Sequence, residues 1–186
     1  YSFDSDRQHS FVQAANNKGY DVLLMNSPID VHFIHHLEMK LEKTSLKRVD
    51  ADVLEKLIEK EDLPKHQLSD DELKKLKEIF DKAISNPNMK VEVENQSAEV
   101  MPVTITIEEW TRRMKDMSKV SGGLNFYGSV PDTYKVSVNA NHKLIAKILQ
   151  AEASQQTQMA RQAFDLALLA QDMLKGADLT AFVQRS

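Results

Sequence analysis

The chain has 186 residues and a formal net charge of −4 with a pI of about 5.9. That length suits one or two small domains, and the charge leaves no global basic footprint for nucleic acid. A hydrophobic content of 41% supports a packed core, and the absence of cysteine excludes disulfides, thiolate metal sites and cysteine nucleophiles while fitting a reducing cytoplasm.

No stretch reaches the length of a membrane span, no signal peptide is visible, and the start at Tyr1 without an initiator Met makes a longer parent protein the expectation. The first third alternates between helix and strand signals. Asp6 to Lys18 reads as a helix closed by Gly19, a residue tolerant of left-handed backbone. Tyr20 to Met25 (YDVLLM) reads as a short apolar strand, Pro28 opens a helix to about Met39, and Leu46 to Val49 is a weaker strand. This order predicts a small parallel βαβαβ unit over residues 1–60. The charged stretch Glu59 to Ser69 marks a junction, with residues 61–68 as linker and 69–186 as a second domain.

In the second domain the order changes. Ser69 and Glu72 form a capping box that opens a helix to about Ser85. KVEVEN and VMPVTIT follow as alternating segments, and Pro102 places the second at a sheet edge or bulge because it cannot donate to a ladder. Thr106 and Glu109 form a second capping box, before IEEWTRRMKDMSK. Thr133 to Val138 is a third strand, and Asn139 or Asn141 can cap a helix over His142 to Ala151. The whole reads as α+β, the second domain having a small antiparallel sheet and a helical C-terminal end.

Thr157 to Leu174 carries too much apolar surface for one small domain to hide. At about 100° per residue its apolar positions, Met159 to Leu174, sweep roughly 260°, leaving Arg161, Asp165 and Asp172 on one narrow strip. A helix apolar nearly all round needs cover from more than one side, either its own domain or another copy of the chain. Lys175-Gly176 is expected to stop it, and Asp178 to cap a last short helix, LTAFVQR.

Two further groups of residues invite a functional reading. Ile107, Trp110, Met114 and Met117 share an arc of about 80° on an otherwise polar helix. This stripe is either core-facing or an exposed surface of adaptable Met side chains around an anchoring Trp. His32, His35 and His36 have a spacing that can reach one metal ion, although the intervening Glu of the usual catalytic form is missing and the spacing also arises by chance in a polar helix. No phosphate-binding loop and no nucleophile elbow is present, and the paired acids Asp70-Asp71 and Glu108-Glu109 sit in helix first turns, where the macrodipole accounts for them. The residues give no support for an enzyme.

Taken in order, several segments resemble the heat-shock protein 90 family of chaperones, in its bacterial form. KGYDVLLMNSPIDVHFIHHLEMKL resembles the end of that family's middle domain, and SLKRVDADVLEKLIEKE the passage towards its C-terminal domain. YKVSVNANHKLIAKIL is similar to a strand-to-helix step often written Asn-Pro-x-His-Pro; Asn139 and His142 remain, while Ala140 and Lys143 replace the prolines. QAFDLALLAQDMLKGADLTAFVQR resembles the last two helices.

The resemblance implies a homodimer through those helices, with Phe164, Ala167, Leu168, Met173, Leu174, Leu179, Phe182 and Val183 at the interface. It also implies contact with unfolded client proteins through Ile107, Trp110, Met114 and Met117, and more weakly through Phe33 and His32. ATP and magnesium are expected only for the full-length protein, through an N-terminal domain outside this chain; no cofactor or metal is expected here, and neither nucleic acid nor membrane is an expected partner. A cytoplasmic ATP-dependent folding chaperone follows, with a non-chaperone dimeric adaptor or scaffold as the alternative, and a metal-dependent enzyme using the histidine cluster as a third reading.

Overall fold

The computed structural model describes residues 1–27, 29–52, 68–107 and 133–186. These fall into two compact units, the first comprising residues 1–52 with 107 and 133, and the second residues 68–106 with 134–186.

The first unit contains α1 (His9–Asn17) and α2 (Asp30–Lys40). Helix α1 begins after the expected Asp6 because polar side chains fold its approach into turns. Asp4 Oδ1 accepts from the Asp6 and Arg7 amides, each at 3.1 Å, and the buried Gln8 Oε1 accepts from the Ser2 hydroxyl at 2.8 Å. Gly19 closes the helix at φ +77°, where the Tyr20 amide reaches back to the Ala15 carbonyl. At the start of α2 the Ser27 amide donates to Asp30 Oδ2 at 2.9 Å.

The two strands expected in this unit are extended segments tied to the N-terminal residues. Ser2 and Leu24 form an isolated parallel bridge, and the Met25 amide donates to the Ser2 carbonyl at 2.8 Å. On the other side the Tyr1 amino group donates to the Lys47 carbonyl at 2.8 Å, and the Val49 amide to the Tyr1 carbonyl at 2.9 Å. Leu23 and Leu24 are both exposed and Met25 is the one buried residue of YDVLLM, too little of a buried face to stabilise a longer ladder.

The second unit opens with α3 (Asp70–Ile84), started by the expected capping box. The Ser69 amide donates to Glu72 Oε2 at 2.7 Å, while the Glu72 amide donates to Ser69 Oγ at 3.3 Å. The Ser69 amide, then its hydroxyl, and more weakly Lys75, hold the Glu72 carboxyl below its ordinary pKa. Leu76, Ile79, Phe80, Ala83 and Ile84 recur at the spacing of one helix face and are all buried.

Strands β1 (Met89–Glu94), β2 (Val103–Ile107) and β3 (Tyr134–Asn139) form a sheet in the order β1-β3-β2. The expected antiparallel sheet is therefore corrected to a mixed one: β3 lies between the other two and runs parallel to β1, with Val91 opposite Val136 and Val93 opposite Val138. Val136 and Val138 are fully buried, so the central place goes to the strand with the best-covered apolar face. Pro102 precedes β2, which lies at an edge, as its missing donor requires. Thr106 is a buried residue of β2; the Glu109 half of its expected capping box lies outside the described residues.

The other sheet face is polar yet also buried. Thr104, Ser137 and Asn139 lie on it, and Lys135 pairs with Glu94 at 2.9 Å. Neither Asn139 nor Asn141 caps the next helix. Their side-chain amides instead hold the loop after β1, donating to the Ser97 carbonyl at 2.8 Å and the Gln96 carbonyl at 2.9 Å respectively.

Helix α4 (Lys143–Gln150) is capped by His142, whose Nδ1 accepts from the Leu144 amide at 3.1 Å. Helix α5 (Ala153–Ala170) packs on α3 and α4, and α6 (Gly176–Arg185) ends the chain. Asp172, at φ +56°, closes α5, its amide donating to Leu169 and that of Met173 to Leu168. Gly176 therefore opens α6 rather than stopping α5, and Asp178 lies in the first turn of α6 rather than at its cap.

Burial, and secondarily the neighbouring Lys143 charge, lower the His142 pKa below its ordinary value of 6.5. A proton on Nδ1 also removes the acceptor that caps α4. The unfolded chain then takes up the proton first, so the stability from this group is full above pH 6.5 and is lost as pH falls through the lowered native value. Between about pH 7.5 and 5.5, His142→Asn should show a smaller fall in melting temperature than the parent chain. Equal falls would contradict the assignment. His142→Ala should cost about 1 kcal/mol at neutral pH, as loss of a side-chain cap usually does.

Candidate dimer and client surfaces

Helix α5 divides its wide apolar arc between two environments. Ala160, Ala163, Phe164, Ala167 and Leu168 recur at three- and four-residue intervals and are buried in the chain's own core with α3, α4 and the sheet. On the helical wheel Leu166 and Leu169 lie roughly 200° and 140° from Phe164. They point outward and are 45% and 43% exposed.

Helix α6 repeats this division on a smaller scale. Phe182 is its buried residue, Leu179 packs partly against the core, and Val183 is 64% exposed. Of the residues expected at a dimer interface, Phe164, Ala167, Leu168, Leu174 and Phe182 are thus buried by their own chain, Met173 and Leu179 are half-buried, and Val183 faces outward. Leu166 and Leu169 join Val183 as outward apolar positions.

The strip of charge on α5 is not a solvated edge. Asp165 is 1% exposed. Arg161 Nε lies 3.0 Å from its Oδ1 but directs its hydrogen to Oδ2 at 3.2 Å, and Arg185 of α6 bonds to the same Oδ2. Arg161 also donates to the Ala83 carbonyl in the last turn of α3 at 3.3 Å, where a cation suits both the orphan carbonyls and the helix dipole. Its guanidinium carbon is 5.7 Å from the centroid of the Phe164 ring. Asp165 was missed as a structural residue because helical spacing alone places it beside Arg161 on a polar strip; the partner from α6 is what makes its burial tolerable.

Of the residues expected to meet clients, Phe33 and His32 lie on α2 and are exposed, Phe33 by 48%. Ile107 ends β2 and is half-buried. Trp110, Met114 and Met117 lie outside the described residues. His32, His35 and His36 are all exposed on α2, and among the described residues no three metal-ligating side chains gather where they could hold an ion. No helix among the described residues is long and apolar enough to cross a membrane.

Comparison with known proteins gives this architecture a class. The sequence model of the family described as Hsp90 protein matches residues 2–185. A chaperone protein HtpG of Porphyromonas gingivalis (strain ATCC 33277) is 39% identical over 155 residues, which cover 82% of this chain and 23% of that protein. A chaperone protein HtpG of Bacteroides thetaiotaomicron is 39% identical over 157 residues with the same coverage, and one from Idiomarina loihiensis is 29% identical over 174 residues, 91% of this chain and 26% of that protein. The chain belongs to the Hsp90 family. It spans about a quarter of the length of these curated relatives.

The two faces of α5 should respond differently to truncation. Phe164→Ala should destabilise the chain by about 3–5 kcal/mol, the usual cost of emptying a buried aromatic site. Leu169→Ala should change the stability of the isolated chain by no more than about 0.5 kcal/mol, as at other surface positions. Urea denaturation monitored by circular dichroism at concentrations low enough to favour monomer measures both.

Proposed function

We propose that this chain is the dimerisation and client-contact part of a cytoplasmic ATP-dependent bacterial chaperone. The observation that carries the reading is the outward apolar face of the last two helices, Leu166 and Leu169 on α5 and Val183 on α6, left over after the chain has filled its own core. Exposed leucines at helical spacing beside a second amphipathic helix suit a second copy presenting the same face, because a two-fold contact is self-complementary. Met173 in the turn between these helices and Leu179 on α6, both half-buried, extend the apolar contact. Family membership favours this reading over an adaptor or scaffold.

The mechanism is one of local concentration. A contact at the C-terminal end tethers two arms, so that their closure upstream becomes effectively intramolecular and needs no high protein concentration. ATP turnover with magnesium belongs in this reading to the part of the protein outside this chain. Client contact is assigned to the Trp110, Met114 and Met117 segment with Ile107, and secondarily to Phe33 and His32 on the exposed side of α2. Polarisable Met and aromatic side chains adapt to varied apolar sequences without requiring a fixed fit.

Sedimentation velocity should show the 186-residue chain as a dimer at micromolar concentration, and a stable monomer would sink the dimer assignment. Client contact requires a solvent-reachable indole at Trp110, the one tryptophan of the chain. Trp110 emission should be red-shifted and readily quenched by acrylamide, and Trp110→Ala should weaken protection of an aggregating client without changing the melting temperature. A blue-shifted, unquenched emission, with unfolding on substitution, would assign the stripe to the core instead.

A further inference from the structure

Helix α6 has little apolar anchorage. Phe182 is its buried residue, Leu179 is half-covered, and Val183 faces outward. Polar ties do much of the remaining holding, and they converge on its last turn. Arg185 bonds to Asp165 Oδ2 and donates from Nε to Gln162 Oε1 at 3.3 Å. Gln162 Nε2 in turn donates to the Ser186 hydroxyl at 2.8 Å. Asp165 is held from the other side by Arg161, which reaches the Ala83 carbonyl of α3. One buried carboxylate therefore joins three helices: α3 through Arg161, its own α5, and α6 through Arg185.

We infer that Asp165 and Arg185 form a latch that positions α6 for self-association, although neither residue lies on the outward apolar face. The deduction rests on the dimer reading above and adds a cause for the geometry of its surface. A face made by two helices is complementary to its twin only if the angle between those helices is fixed. Apolar contacts alone fix such angles loosely, because a single buried phenylalanine permits rocking about its own contact. A charged hydrogen bond to a carboxylate 1% exposed does not permit it. Leaving the carboxylate means stranding a charge in a poorly solvated site, so the docked arrangement is strongly preferred over displaced ones. The two arginines have separate tasks. Arg161 orients the carboxylate and ties it to α3, and Arg185 completes its neutralisation while making the connection to α6.

Arg185→Gln is the direct test, since it changes the last turn of the chain and leaves the core of α3, α4 and α5 intact. Hydrogen exchange on the full 186-residue chain should show amides of α6 exchanging about tenfold faster or more, while those of α5 and α3 keep their protection, as expected for local rather than global opening. The dimer dissociation constant should rise by about tenfold or more, while the protection retained in α3 and α5 shows that the core is still folded. Arg185→Lys, which keeps one charged donor, should restore part of both effects. Asp165→Asn combined with Arg185→Gln should loosen α6 by less than the product of the single effects, since both remove one connection.

Unchanged α6 protection in Arg185→Gln would overturn the latch, and so would equal loss of protection in α5 and α6. Loosened α6 with an unaltered dissociation constant would overturn its role in association. A parent chain that is monomeric at every concentration would refute the dimer reading, while the exchange comparison would still decide whether the latch exists.

Discussion

Burial of one face of α5 against α3, α4 and the sheet is the constraint on which the second unit depends. Ala160, Ala163 and Ala167 let the helices approach closely, and Phe164 and Leu168 fill the space between them. Once that face is committed, the register of everything beyond it is set. Leu166 and Leu169 must point away, Asp165 must lie at the margin of the core, and α6 must meet α5 where Arg185 can reach that carboxylate. A single helix thus supports a core, an ionic junction and an outward apolar strip, each taken from a different sector of its circumference.

This division changes what the large apolar arc means. Excess apolar surface on a helix near the end of a chain calls for a second cover, but it does not say which residues the second cover takes. The intramolecular core accounts for Phe164, Ala167, Leu168, Leu174 and Phe182. A charge placed at Phe164 or Leu168 would therefore act first on the fold of the single chain and only through it on association. The apolar residues left outward on α5, Leu166 and Leu169, are fewer and lie on the opposite side. Such a strip is small beside the interior face, which is why the angle between α5 and α6, and the polar ties that set it, carry weight in the account.

The features that could be read from the sequence are those decided by neighbours in the chain. The Ser69–Glu72 box, the left-handed Gly19 and the edge position forced by Pro102 each depend on local backbone chemistry, and each is found where expected. What escaped was decided by residues far apart. The insertion of β3 between β1 and β2 depends on which strand buries best, not on the turn that joins the first two. Asn139 and Asn141 are good cap residues by type, yet the loop after β1 offers them carbonyls, and the cap passes to His142. Gly176 is the expected stop for α5, but Asp172 adopts the left-handed geometry first. Helical spacing puts Asp165 on a charged strip with Arg161, but its burial depends on Arg185, 20 residues further on. For the client stripe, periodicity cannot separate a core-facing face from an exposed one, and Trp110 lies outside the described residues.

Helix α5 is proposed to serve the chain's own core with one face and a twin chain with the other. The most direct measurement is sedimentation velocity paired with thermal melting on the double substitution Leu166→Asp with Leu169→Asp. The account requires a monomer that still melts cooperatively, close to the parent's melting temperature at concentrations where the parent is also monomeric. A double variant that remains dimeric, or one that loses its cooperative melt, would contradict it.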